Sequence, residues 1–137
     1  MKRTRIRRSS KRPLAKLQKE LWLTVRKLAE KNYIKDCYTC GSKNLEGRNC
    51  QLGHMIPKST CGAYLKYDIR ILRWQCAKCN IWNGGNGAIF ARNMIIREGQ
   101  EYVDQIFKDK LITLSGKQSY EHYSMQLEKY KLILEEL

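Results

Sequence analysis

A chain of 137 residues with formal net charge +14, from 27 Lys and Arg against 13 Asp and Glu, is long enough for one domain with a modest core. That surplus points to a polyanionic partner, most simply nucleic acid, with a solvated basic surface or a membrane-surface binder as the plainer alternatives. No apolar stretch approaches the roughly 20 residues that span a bilayer, and no secretory signal pattern follows the basic start, so a membrane-spanning or secreted protein is excluded and a reducing, cytoplasmic setting is expected.

Residues 1–12 carry seven basic residues and one substantial apolar side chain. Such a run cannot order itself, and it reads as a flexible arm in which Arg3, Arg5, Arg7 and Arg8 gain DNA affinity by counterion release. A solvated tail is the alternative. Pro13 suits a first helical turn, and Leu14, Leu17, Leu21, Val25 and Leu28 predict an amphipathic helix over 13–33. Trp22 and Leu23 widen its apolar stripe, while Lys16, Lys19, Arg26 and Lys27 give it a basic opposite face.

Turn chemistry at Gly41 and Gly47 surrounds a first Cys-x-x-Cys, and residues 49–57 read as a strand leading into His54. A loop over 58–67 precedes a second short strand over 68–75. Residues 80–87 begin a turn or helix and open into a glycine-rich loop. A helix over 88–98 stops at Gly99, a suitable C-cap, and a short one covers 100–112 with Tyr102, Val103, Ile106 and Phe107 on its apolar side. Gly116 breaks the pattern. The last helix, 119–137, carries Tyr123, Leu127, Tyr130, Leu134 and Leu137 as a short heptad-like seam, used either for packing on its own domain or for a homodimer. The organisation is then an arm (1–12), a zinc-bound domain (13–112) and a C-terminal helix (113–137).

Chemistry concentrates between residues 37 and 80. Cys37, Cys40, Cys76 and Cys79 form two Cys-x-x-Cys knuckles with the spacing of a closed tetrahedral zinc site. Four thiolates leave no open coordination position, so this zinc is structural and holds the strand bearing His54 against the segment from Asn80. Cys50 and Cys61 are left over as reduced thiols. Phosphodiester hydrolysis requires a general base and a hard cation. Neutral histidine suits the first role, and an asparagine oxygen with a carboxylate suits Mg²⁺.

Taken together, Cys-x-x-Cys, Gly-His-Met-Ile-Pro and Gln-Cys-x-x-Cys-Asn with a Gly-Asn loop resemble the zinc-stapled HNH, or ββα-metal, endonucleases. Within them the chain is most similar to the phage NinG (Rap) recombination nucleases, and it is also similar to phage endonuclease VII. The resemblance implies an α+β fold, mainly helical, around a small zinc-bound ββα core. It implies His54 as general base, Asn80 and then Asn83 as groups holding a catalytic Mg²⁺ or Mn²⁺ or orienting phosphate, and a phage or prophage enzyme in a bacterial host. It further implies branched recombination intermediates such as Holliday junctions as substrate, for which a dimer is expected.

Two departures stand out. Gly53 lies where many HNH nucleases place an Asp or His ligand, so Asp68, the nearest acid in the motif, becomes the candidate carboxylate, with a plain loop aspartate as the alternative. Ile71 lies where the family's middle asparagine braces the loop. Arg70, Arg73 and Lys78 are expected on the DNA backbone, and Trp74 and Trp82 in the core around the zinc, with base stacking as the alternative; His122 has no assigned role. The rival readings are a non-catalytic zinc module that binds nucleic acid, a sequence-specific restriction or homing nuclease, and an RNA-directed enzyme.

Overall fold

The computed structural model describes residues 12–137, so Arg3, Arg5, Arg7 and Arg8 lie outside the described residues. Helix α1, Leu14–Asn32, buries Leu17, Leu21, Val25 and Leu28, the three- and four-residue spacing expected of an amphipathic helix. It packs along the last helix, α5 (Gly116–Glu136), which buries Tyr123, Leu127 and Tyr130. Tyr123, Leu127 and Tyr130 of the heptad-like seam are therefore used inside the chain, while Leu137 at its end is exposed. Glu20 on α1 accepts from Lys131 at 2.7 Å and pairs with Arg12 at 2.8 Å, tying the two helices at their surface. Gly116 is the first residue of α5 rather than a break before it. Ser115 caps that end: its hydroxyl accepts from the Gln118 amide, and the Gln118 side chain accepts from the Ser115 amide.

Strands β1 (Gln51–His54) and β2 (Leu72–Gln75) pair antiparallel, with Gln51 opposite Gln75 and His54 opposite Leu72. Both are shorter than the sequence suggests. A 3₁₀ turn at Gly47–Asn49 delays β1, and a second at Ile69–Ile71 delays β2 because the Asp68 carboxylate caps it by accepting from the Arg70 amide. Ile71 is fully buried, and its carbonyl accepts from the Met55 amide at 2.8 Å. Backbone bonding there braces the region without the asparagine side chain that the resemblance led one to expect.

Between the strands a short helix α2, Gly62–Leu65, interrupts the expected loop. The Tyr130 hydroxyl crosses from α5 to accept from the Ile69 amide at 3.1 Å and donate to the Tyr67 carbonyl at 3.2 Å. Tyr130 is 3% exposed, so Tyr130→Phe strands a buried amide and is expected to cost about 1–3 kcal/mol, read as a fall in Tm and in urea midpoint.

After β2 the chain makes a π-helical turn, Lys78–Trp82, then α3 (Gly87–Glu98) and α4 (Gln100–Asp109). Gly99, at φ 100°, separates α3 from α4 in a conformation that side chains strain to adopt. Phe90 and Met94 of α3 and Val103 and Ile106 of α4 complete the core, whereas Phe107 remains nearly half exposed.

Candidate metal centre and adjoining amide pocket

The Sγ atoms of Cys37, Cys40, Cys76 and Cys79 all lie within 4.8 Å of one another, and Cys40 and Cys76 stand 3.7 Å apart. A tetrahedron with Zn–S bonds of about 2.3 Å has edges of about 3.8 Å, so the four thiols fit a zinc ion. Donors already surround them. The Cys40 amide lies 3.5 Å from Cys37 Sγ, the Cys79 amide 3.4 Å from Cys76 Sγ, and the Asn86 side-chain amide 3.5 Å from Cys79 Sγ. Hydrogen bonds to sulfur spread thiolate charge and fix ligand orientation. Knuckle one is also fastened to the hairpin, since the Tyr38 amide donates to the Trp74 carbonyl at 2.9 Å.

One hairpin face beside this cluster is built from amides. Gly53 is buried, and a methyl group at its α-carbon would overlap the Gln75 Oε1 and approach Asn80 Oδ1 to 3.1 Å. The orientation of each amide follows from its partners. Gln75 Nε2 donates to the Gly85 carbonyl at 2.9 Å and to Thr39 Oγ1 at 3.1 Å; a carbonyl only accepts, so Oε1 faces Gly53. Gln51 Nε2 donates to the Arg48 carbonyl, which turns Gln51 Oε1 toward Asn80 Nδ2 at 2.8 Å and leaves Asn80 Oδ1 on the Gly53 side. Gln75 is fully buried, and its Oε1 has no hydrogen-bond partner among the described residues. The glycine loop closes over the same strand end, with Gly85 near the His54 carbonyl and Gly87 near that of Met55.

Gly53 thus lacks a side chain because an amide from β2 occupies its place. Gly53→Ala must displace a pinned Gln75 and is expected to lower stability by about 1–3 kcal/mol. Thermal melting of Gly53→Ala, Gln75→Ala and the double variant checks this: the paired losses should fall well short of additive.

His54 follows Gly53 at the end of β1, so its side chain leaves the strand on the face opposite the amides, toward Trp22 and Lys66. Its Nε2 lies 2.9 Å from the Lys66 carbonyl, and because a carbonyl accepts only, Nε2 carries the proton and Nδ1 keeps its lone pair. The imidazole stacks on Trp22 of α1, with centroids 5.7 Å apart and planes within 4°. Burial pushes the His54 pKa below its usual 6.5, against the Lys66 carbonyl bond and with the charges of Lys58 and Lys66 adding to the fall. The ring is neutral at pH 7 and oriented at Nε2, and among the described residues Nδ1 meets no hydrogen-bond partner.

The other predicted residues divide. Asn80 joins the pocket. Asn83 is exposed and ends the π-helical turn, its amide donating to the Lys78 carbonyl. Lys78 is exposed on the same turn. Asp68 is turned away: both carboxylate oxygens bind Arg70, at 2.8–3.1 Å, and Arg70 also reaches Asp109 at 2.8 Å. The ligand expected of Asp68 and the phosphate contact expected of Arg70 are both replaced by this ion triad. Arg73 is 4% exposed, donates to the carbonyls of Ile69 and Leu72, and lies 4.3 Å from the Tyr33 ring centroid, so it is a core residue with no face for DNA. Trp74 is in the core as expected, but Trp82 is 80% exposed. Gln75 enters the sequence reading only as the first residue of Gln-Cys-x-x-Cys-Asn, with no role of its own, and Lys58 and Lys66, the lysines near His54, belong to no motif.

Fold and site together define a helix-rich α+β protein stapled by a four-cysteine, zinc-type centre. The family model described as Bacteriophage Lambda NinG protein matches residues 1–137, and the chain belongs to that family. No curated protein and no solved structure gives a significant match. Among the described residues, no helix is long and apolar enough to cross a membrane.

Proposed function

We propose that this NinG-family chain is a metal-dependent endonuclease that hydrolyses phosphodiesters in branched DNA, with His54 as general base. The observation that carries the reading is the state of His54: a neutral imidazole, held at Nε2 by the Lys66 carbonyl, with Nδ1 left as a proton acceptor. Basic chemistry around it supports the same substrate, since Lys58 and Lys66 act on His54 electrostatically and Lys78 is exposed nearby along the chain from Asn80.

The amide pocket fits a hard cation in its donor type. Gln75 Oε1 is an orphaned buried acceptor, and Asn80 Oδ1 lies against the same glycine. A Mg²⁺ or Mn²⁺ bound there would neutralise charge developing on the phosphate and the leaving oxygen. The remaining steps belong to the chain. His54 Nδ1 takes a proton from the attacking water as its oxygen bonds to phosphorus, while the bond to the leaving sugar oxygen breaks. Trp22 and the Lys66 carbonyl hold the ring in one plane and, before the proton arrives, in the Nε2–H tautomer. The lysines hold the anion, and the zinc-type knuckles keep Asn80 and the glycine loop against the end of β1.

One observation favours a second reading, a non-catalytic zinc module that binds nucleic acid: the atoms nearest the Gly53 position are amide groups, with no carboxylate among them. One assay separates the two. Labelled four-way junction, linear duplex and single strand are incubated with Mg²⁺, with Mn²⁺ and with EDTA. Ion-dependent cleavage of the junction supports the nuclease; binding without cleavage under every ion supports the module; cuts at fixed sites in plain duplex identify a sequence-specific enzyme instead.

A further inference from the structure

We infer that Trp82, with Ile81 beside it, is a stacking wedge for an unpaired or unstacked nucleobase at a DNA branch point. The inference deepens the DNA reading above and rests on it.

Two adjacent large apolar side chains project from one turn: Trp82 is 80% exposed and Ile81 58% exposed. Among the tryptophans the contrast is informative, since Trp74, eight residues earlier, is 1% exposed and Trp22 is partly buried. The fold gains nothing from leaving an indole in water, and the turn that carries it is built rigidly. Cys79 is 2% exposed inside the four-cysteine cluster, its carbonyl accepts from the Gly85 amide at 2.9 Å, and the Asn83 amide closes back onto the Lys78 carbonyl at 2.9 Å. A π-helical turn widens the backbone and re-aims side chains, here turning Asn80 inward to Gln51 while Ile81 and Trp82 face solvent.

The occupant follows from charge and ring chemistry. The chain carries +14, and exposed Lys78 and Asn83 flank the wedge, so a polyanion bearing flat aromatic faces is complementary where an apolar protein helix is not. Indole stacks on any base without reading its sequence. In continuous duplex the bases are already stacked on each other, so a rigid wedge rewards the places where stacking is interrupted. Attached two residues from Asn80 on the same turn, it would register such a discontinuity against the proposed catalytic groups.

The test uses the full chain with zinc, and Ca²⁺ in place of Mg²⁺ to hold DNA uncleaved. Affinities for four-way junction and for linear duplex are compared among wild type, Trp82→Ala, Trp82→Phe and Ile81→Ser, with thermal melting of each variant. Expected results are unchanged melting and a loss of roughly tenfold or more in junction affinity for Trp82→Ala. Duplex affinity should hold, and Trp82→Phe should restore most of the loss because it keeps a ring. Junction binding should also protect wild-type fluorescence from iodide quenching, a protection missing in Trp82→Ala. Equal junction binding by Trp82→Ala and wild type overturns the wedge while leaving the nuclease reading intact. An equal loss on junction and duplex, or a change of oligomeric state in sedimentation without a change in junction preference, overturns it too. A wild type that binds no DNA overturns both readings, whereas branch-selective binding without any cleavage under Mg²⁺ removes only the nuclease.

Discussion

His54→Ala is expected to reduce junction cleavage roughly a hundred- to ten-thousandfold while leaving zinc content and DNA affinity near the wild-type values. The substitution removes the titratable acceptor that the proposed mechanism needs, one fixed in direction because Nε2 is tied to the Lys66 carbonyl and the ring plane to Trp22. His54→Gln separates chemistry from packing, because it can still donate to that carbonyl but cannot take a proton at neutral pH. Both variants should therefore be inactive, and His54→Gln should melt closer to wild type. Full activity in either variant would refute the assignment of the base.

The pH profile carries the same mechanism with a definite sign. A base must be unprotonated to act, and burial lowers the His54 pKa from its usual 6.5. The rate should rise tenfold per pH unit at acid pH, level off below pH 6.5 and stay flat through neutrality. An inflection above pH 7 in the free enzyme would mean that another group limits the reaction. Single-turnover cleavage at saturating cation, between about pH 4.5 and 8, reads it directly.

Much of this architecture is visible in the sequence where one residue type implies one geometry. Four cysteines at knuckle spacing predict a cluster, and the structure brings their sulfurs within 4.8 Å. Leu17, Leu21, Val25 and Leu28 predict the buried face of α1, and Gly99 predicts the end of α3. What sequence cannot supply is which of several partners a residue meets. The seam of α5 has the same spacing whether it faces α1 or a second copy, and only the tertiary arrangement shows it facing α1. Arg73 reads as surface charge because charged side chains are rarely buried unless they are paired; here Glu98 at 3.5 Å, two tyrosine rings and backbone carbonyls receive it. Gln75 gains its meaning from register alone. Pairing Gln51 with Gln75 puts Gln75 on the face of Gly53, and neither residue announces the other along the chain.

Removing one knuckle ligand, as in Cys76→Ser, is expected to abolish zinc binding and unfold the region between residues 37 and 87. Structural zinc contributes on the order of 10–16 kcal/mol in small zinc domains at neutral pH, which equals or exceeds the roughly 5–15 kcal/mol that stabilises an ordinary domain. Regular secondary structure is sparse here: the sheet has two four-residue strands, and the segment from Lys78 to Asn86 is a turn and a glycine loop, so the buried side chains of Leu52, Leu72 and Trp74 rely on the cluster to hold their backbone in place. Helices α1 and α5 pack on each other independently of the cysteines and should keep part of their far-UV circular dichroism. The near-UV signal of Trp74, buried two residues before Cys76, should collapse. Cys50→Ala and Cys61→Ala serve as controls, because both thiols are buried outside the cluster and should keep one zinc per chain. The distinction also orders the two metals. Brief EDTA treatment followed by Mg²⁺ should restore cleavage, since the exchangeable cation is replaced while the thiolate-bound zinc stays. Prolonged chelation under mild denaturant should remove the zinc, and Mg²⁺ alone should then restore nothing. A Cys76→Ser protein that melts like wild type and holds one zinc would show that the cluster does not staple the fold.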